Sequence, residues 1–229
     1  MDSVILRAKN LVKDFTKGNE RISVVKGVSL DISQGDCIAI MGSSGAGKST
    51  LLHLLGTLEK PTQGELFYHE NRNQNLWNLS DESLSQFRNQ NLGFVFQFHY
   101  LLPEFSALEN VMMPALIGGH DSSWAEKRAR ELIDFVGLKH RVNHRPGELS
   151  GGEQQRVAIA RSVMLKPKLL LGDELTGNLD SDNSKKVVDL ILELNKNFGI
   201  AVLLVTHDHE VASRMKRVLT MKDGKIISS

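Results

Sequence analysis

Apolar residues recur along this chain with two different periods, and the switches between the periods predict alternating strands and helices. Between Ile5 and Ile32, pairs such as Val24-Val25 and the run Val28-Ser29-Leu30-Asp31-Ile32 alternate apolar with polar positions around a turn at Lys17-Gly18-Asn19-Glu20. A period of two is that of half-buried strands, so this stretch predicts short strands in a small antiparallel sheet. Asp36-Cys37-Ile38-Ala39-Ile40-Met41 is apolar enough for a buried strand, and Ser49 to Leu55 opens a helix after it. Pro61-Thr62-Gln63-Gly64 turns the chain into a strand at Glu65-Leu66-Phe67-Tyr68, Asp81 to Asn89 is a polar helix, and Leu92 to Phe96 is a buried strand ending at Gln97.

From Phe98 to about Leu149 the period lengthens to that of a helix. Ala129, Leu132, Ile133 and Val136 fall on one face, and Pro103, Pro114 and Pro146 break the stretch into segments. Strand patterns resume at Lys168 to Asp173 and Ile200 to Val205, separated by a helix whose inner face carries Val187, Leu190, Ile191 and Leu194. Such alternation predicts an α/β fold with a mostly parallel sheet covered on both faces, an N-terminal antiparallel β subdomain and an inserted α-helical subdomain. Residues 1–229 then form one domain, with 1–97 and 160–229 as the core and 98–159 as the helical lobe. Ligands in such sheets bind at the carboxyl ends of strands, where Gly42, Gln97, Asp173 and His207 all fall.

Composition narrows the partners. The 229 residues carry a net charge of +1, which gives no electrostatic reason to expect nucleic acid. The single cysteine, Cys37, cannot form an internal disulfide and suits a reducing compartment. No apolar run approaches the ~18 residues of a membrane span, so the expected place is the cytosol unless a partner holds the chain at a membrane.

Chemistry concentrates first at Gly42-Ser43-Ser44-Gly45-Ala46-Gly47-Lys48-Ser49-Thr50, a complete G-x-x-x-x-G-K-[ST] loop between strand and helix. Glycines let the backbone curl around a polyphosphate, amides and the helix N-terminus face the anion, and Lys48 adds a full charge. The loop resembles that of P-loop NTPases, which implies a RecA-like core and a Ser49 hydroxyl placed for magnesium. Asp173, ending a distant apolar strand, is the expected second magnesium-holding residue, and Glu174 beside it can act as general base on water. Phe15, next to the turn, is either packed or free to stack on a nucleobase. His207-Asp208-His209 has neither the spacing nor a third ligand for zinc.

A second glycine-rich helix start, Leu149-Ser150-Gly151-Gly152-Glu153-Gln154-Gln155-Arg156, offers another set of amides to phosphate. One chain with two cradles and one lysine suggests that the second cradle closes the first cradle of another copy. The LSGGE-type sequence resembles the signature of ATP-binding cassette (ABC) ATPases. That resemblance implies ATP and Mg2+ as ligands, with Phe15 stacking on adenine, Gln97 reaching magnesium and the γ-phosphate, and Leu179-Asp180 crossing to the partner subunit. His207 corresponds to the family's γ-phosphate switch histidine, and Ser150, Gly151 and Gly152 to residues facing the nucleotide of a homodimeric partner.

Gln97 to Phe105, Ala107 to Val111 and His144-Arg145-Pro146 resemble the lipoprotein-releasing branch of the family, and Thr176 to Asp180 is shared with the related MacB group. The resemblance implies an ATPase bound peripherally to integral membrane subunits of the LolC/LolE type, at the cytoplasmic face of a bacterial inner membrane. Phe98 to Met113 is then the stretch expected to receive a membrane-subunit helix. MacB-like export or regulation of a cell-division membrane protein are the alternatives, whereas repair ATPases need a coiled coil absent here. Two positions depart from the family pattern. Gly172 stands where a larger residue is usual and Leu175 where proline commonly follows the glutamate, so both are expected to loosen the seat of Glu174.

Overall fold

A computed structural model describes residues 4–18, 20–68 and 74–228 of the chain. Its first two strands are longer than the short strands expected: β1 (Val4–Lys17) and β2 (Glu20–Ser33) are each 14 residues and pair antiparallel along their lengths. The sequence pattern concealed this because several register shifts break the alternation, for example between Ala8 and Leu11. Asn19 of the expected turn lies outside the described residues. β4 (Gln63–Tyr68) pairs with the other edge of β1, giving a three-stranded antiparallel sheet in the order β2-β1-β4.

The second sheet has six strands in the order β5-β6-β7-β3-β8-β9. β3 (Cys37–Met41), β5 (Leu92–Val95), β6 (Leu169–Asp173), β7 (Ala201–Thr206) and β8 (Arg217–Lys222) run parallel, and β9 (Lys225–Ser228) returns antiparallel to β8. The last two strands escape a pattern reading, since β8 alternates over only a few positions and Arg217 and Lys222 are exposed.

Alternation within the parallel strands sorts the core into two layers. Ile38, Ile40, Leu171, Leu203 and Val205 face β1, β2 and α1 (Lys48–Leu55), while Cys37, Ala39, Leu170, Val202 and Leu204 face the helices of the other side. Those helices are α3 (Ala107–Ile117), α4 (Ser122–Phe135), α5 (Gly151–Ser162) and α6 (Ser181–Phe198), with α2 (Asp81–Asn91) beside β5 and α7 (His209–Ser213) after β7. All six residues of β7 are buried, and each large aliphatic among them contributes about 1.5–3 kcal/mol relative to exposure. Asn195, buried in α6, is compatible with this core because its amide nitrogen lies within 3.1 Å of the carbonyls of Gly35, Asp36 and Ile200.

Within the stretch expected to meet a partner, exposure divides at Ser106. Phe98, Tyr100 and Leu102 are exposed, whereas Leu108, Val111 and Met112 are buried in α3 against the helical layer.

Candidate active site

Helix α1 differs from the other α-helices among the described residues in how it begins. Ser80, Ser106, Asp121, Ser150, Asp180 and Asp208 cap α2 to α7 through side-chain oxygens, but α1 starts at Gly47, which has no side chain to offer. Its first amides are left for an anion, as the partial positive charge of a helix N-terminus requires. Gly45 and Gly47 adopt φ of 78° and 99°, and a Cβ on Gly47 would lie 2.7 Å from the Val24 carbonyl oxygen. The loop therefore needs glycine at 47 both for its turn and for its contact with β2.

Lys48 is buried, and its ammonium donates to the carbonyls of Gly42 at 2.8 Å and Ser43 at 3.1 Å. The Ser49 hydroxyl donates to Asp173 Oδ1 at 3.0 Å, joining the start of α1 to the end of β6. Burial pushes the Asp173 carboxyl above the usual carboxylate range, with the Ser49 hydrogen bond opposing the shift. A serine hydroxyl and a carboxylate at this spacing are hard oxygen donors that suit Mg2+ in company with phosphate oxygens.

Glu174 has φ of 48°, unusual for a residue with a side chain. Its carboxylate lies 2.8 Å from His207 Nδ1 and 4.0 Å from Lys48 Nζ. His207 itself is largely exposed at the end of β7. Gln97 Nε2 donates to Asn178 Oδ1 at 3.3 Å, which ties the end of β5 to the segment after Glu174. Lys48, Ser49, Gln97, Glu174 and His207, with Ser44, Gly45, Gly47, Thr50 and Val24, line one open cavity of 720 Å3. A carboxylate placed to serve as a base, a cation and a hydroxyl–carboxylate pair able to hold a metal thus come together at the carboxyl ends of parallel strands, an arrangement able to direct water onto a polyphosphate.

Other expected residues lie apart from this cavity. Phe15 is 41% exposed on β1 with the Lys13 ammonium 4.9 Å from its ring centre, and it does not line the cavity. Ser150, Gly151 and Gly152 open α5 outside it. The Ser150 hydroxyl accepts from Glu153 N and the Glu153 carboxylate accepts from Ser150 N, leaving the amides of Gly151 and Gly152 uncapped. Gly152 packs so closely on Asn183 that a Cβ would lie 2.6 Å from its Oδ1, and Asn183 donates to Asp180 at 2.8 Å. Asp180 thus belongs to the same surface as the α5 start.

The family model described as ABC transporter matches residues 25–177. The chain belongs to the ABC transporter family. This ABC chain is 49% identical over 226 residues to the lipoprotein-releasing system ATP-binding protein LolD of Geobacter metallireducens, with 99% of each protein covered. It is 50% identical over 226 residues to the protein of the same name from Legionella pneumophila, covering 99% of this chain and 98% of the other. Among solved structures, the dimeric post-hydrolysis state of the ATP-binding cassette MJ0796 bound to ADP and Pi matches with a TM-score of 0.88. The two share 39% sequence identity, and the match covers 97% of each chain.

Several contacts at the ABC site had no counterpart in the sequence reading. Val24 walls the cavity from β2, Asn178 anchors Gln97 across 81 residues, and Arg161 holds the carbonyls of His99 and Tyr100 at 2.7 Å. The signal for Arg161 was available in part, as an arginine on the buried side of a helix must find acceptors. At Gly172 and Leu175, where a loosened seat for Glu174 is expected, the two departures pack on each other. Leu175 is buried, and its methyl groups occupy the space where a Gly172 side chain would begin.

Proposed function

We propose that this chain is the ATP-hydrolysing subunit of an ABC transporter that releases lipoproteins from a bacterial inner membrane. It acts as a homodimer peripheral to LolC/LolE-like integral membrane subunits on the cytoplasmic face. Residues 1–229 act as a single ATPase domain, with 98–159 as its signature-bearing lobe. The observation that carries the reading is the meeting of Lys48, the Ser49–Asp173 pair and the Glu174–His207 pair at one cavity. The near full-length similarity to proteins named for lipoprotein release supports the choice of transporter.

Gly42 to Thr50, with Ala46 and the amides of α1, wrap the phosphates of ATP, and Phe15 takes the adenine face. Lys48 exchanges the carbonyls of Gly42 and Ser43 for phosphate oxygens. Ser49, Asp173 and Gln97 hold Mg2+, which when bound neutralises part of the phosphate charge. Glu174 takes a proton from the attacking water, and His207 steadies the carboxylate while the γ-phosphorus bond to the bridging oxygen breaks. The electron pair of that bond leaves with ADP.

Ser150, Gly151, Gly152 and Asp180 serve the nucleotide of the second copy, since within one chain they stand away from the cavity lining. Each ATP is then held by two unlike faces, and hydrolysis removes the phosphate that joins them. The membrane subunits receive this motion at the exposed Phe98, Tyr100 and Leu102 and at the adjoining groove lined by Leu58, Arg88, Phe94 and Phe96. A Glu174→Gln chain should bind ATP yet lose 10²-fold or more of its hydrolysis, the span typical of a general base. Normal turnover by that variant would remove Glu174 from its role. Co-purification of a membrane subunit with a large periplasmic domain supports the transporter reading, and its loss on Tyr100→Glu tests the docking segment.

A further inference from the structure

Glu174 keeps a left-handed backbone, φ 48°, although it is neither glycine nor asparagine. Such a residue holds that conformation only when its surroundings fix it on both sides. Its amide donates to the Val205 carbonyl of β7 at 3.0 Å, and its carbonyl accepts from Gly177 N at 3.0 Å. The next side chain, Leu175, turns inward and is 5% exposed within the helical-side core.

Leu175 finds that space because β6 places a glycine beneath it. A Cβ on Gly172 would lie 3.0 Å from both methyl carbons of Leu175 and 2.5 Å from Leu204 Cδ2. The first two separations are tighter than ordinary carbon contacts, and the third cannot occur without displacement. Small and large residues therefore interlock across one turn, with Glu174 between them in sequence.

We propose that Leu175, seated on Gly172, is a positioning residue that fixes the turn carrying Glu174 and so sets the carboxylate against Lys48 and His207. Leu175 is buried and does not line the cavity, so it acts through the backbone of its neighbour. The proposal rests on the reading of Glu174 as the base, and Glu174→Gln is measured alongside to test that reading separately.

The test is steady-state ATP hydrolysis by the full-length chain, well below its melting temperature, with kcat and KM resolved. Leu175→Ala should lower kcat about tenfold with KM for ATP within twofold of wild type, and Leu175→Met should restore most of the rate. Gly172→Ala should also lower kcat, because its methyl group pushes Leu175 off its seat. The double variant Gly172→Ala/Leu175→Ala relieves the contact with Leu175 but leaves the one with Leu204, so it should turn over faster than the product of the two single losses without regaining the wild-type rate. If Leu175→Ala does not fold, Leu175→Val, one carbon shorter, is read by the same criteria. Unchanged kcat in the Leu175 variants, equal loss of nucleotide affinity and rate, or strictly multiplicative effects in the double variant would each overturn the proposal. A Glu174→Gln chain that hydrolyses at the wild-type rate would instead overturn the assignment of Glu174.

Discussion

Lys48 is paired where a phosphate would meet it, and Asp173 is strained by burial. The Lys48 ammonium is buried on two backbone carbonyls, with Glu174 4.0 Å away. Replacing it by alanine removes the charge that those contacts hold ready for phosphate. Lys48→Ala should weaken ATP binding about 10- to 100-fold, the range of one charge-assisted hydrogen bond, as read by calorimetric titration. Asp173 is held above its ordinary value by burial. A folded acid with a raised value binds more protons than the unfolded chain, so its contribution to stability falls as pH rises from the unfolded value toward the folded one. Above that window the cost is full. Asp173→Asn should accordingly raise Tm at neutral pH while abolishing the additional stabilisation that Mg2+ gives in the presence of ATP. A lower Tm for this variant would contradict the burial argument. The loop, Asp173, Glu174 and His207 were legible in the sequence because each ends a strand pattern or fills a fixed spacing. Val24 and Asn178 were not, because their roles depend on contacts between segments that no local period links.

At the α-helices other than α1, side-chain oxygens of the N-cap residues accept from amides of the first turn. Hydrogen bonds from cap amides and neighbouring hydroxyls hold Glu109, Asp121, Glu153 and Asp180 below ordinary values of 4.5 for the glutamates and 3.8 for the aspartates. For lowered acids the sign reverses: stability is fully present above the unfolded values and is lost as pH falls through the folded ones. Four helix starts thus titrate against Asp173, and Tm should stay nearly level from pH 7 to 5 and drop below about pH 4.5. Circular dichroism melts across that range would check it, and a Tm that rises into acid would contradict it.

Helix α5 adds a second device at this scale. Arg161 at its end donates to His99 and Tyr100, and burial lowers its hold on the proton from the usual guanidinium range. Arg161→Ala leaves those carbonyls without their donor and should cost about 2–3 kcal/mol, or several degrees in Tm for a chain of this length. A melt within a degree of wild type would show that the segment from Phe98 to Leu102 is held by other contacts. The elements α1, β3, β6, β7 and α6 were legible from period alone. β1 and β2 were longer than their broken alternation suggested, and β8 and β9 lacked enough buried positions to register as strands.

At the scale of the whole molecule, the residues expected to bind nucleotide do not all line one cavity. Lys48, Ser49, Glu174 and His207 line the cavity, whereas Ser150 to Gly152 and Asp180 do not, and Gly152 and Asp180 both pack against Asn183. No described helix is long and apolar enough to cross a membrane. In the proposed assembly, nucleotide joins one copy's cavity to the other's α5 start, and movement of these two surfaces is passed to a membrane-embedded partner. The division was foreshadowed by two glycine-rich helix starts of which only the first carries a lysine. Their placement in the fold had no signature in any single stretch. Light scattering on Glu174→Gln with Mg-ATP measures the consequence most directly. The mass should double with one ATP retained per chain, and adding Ser150→Phe should return it to the monomer while each chain still binds ATP. A Glu174→Gln chain that stays monomeric with ATP bound, even with its membrane subunits present, would contradict the shared site.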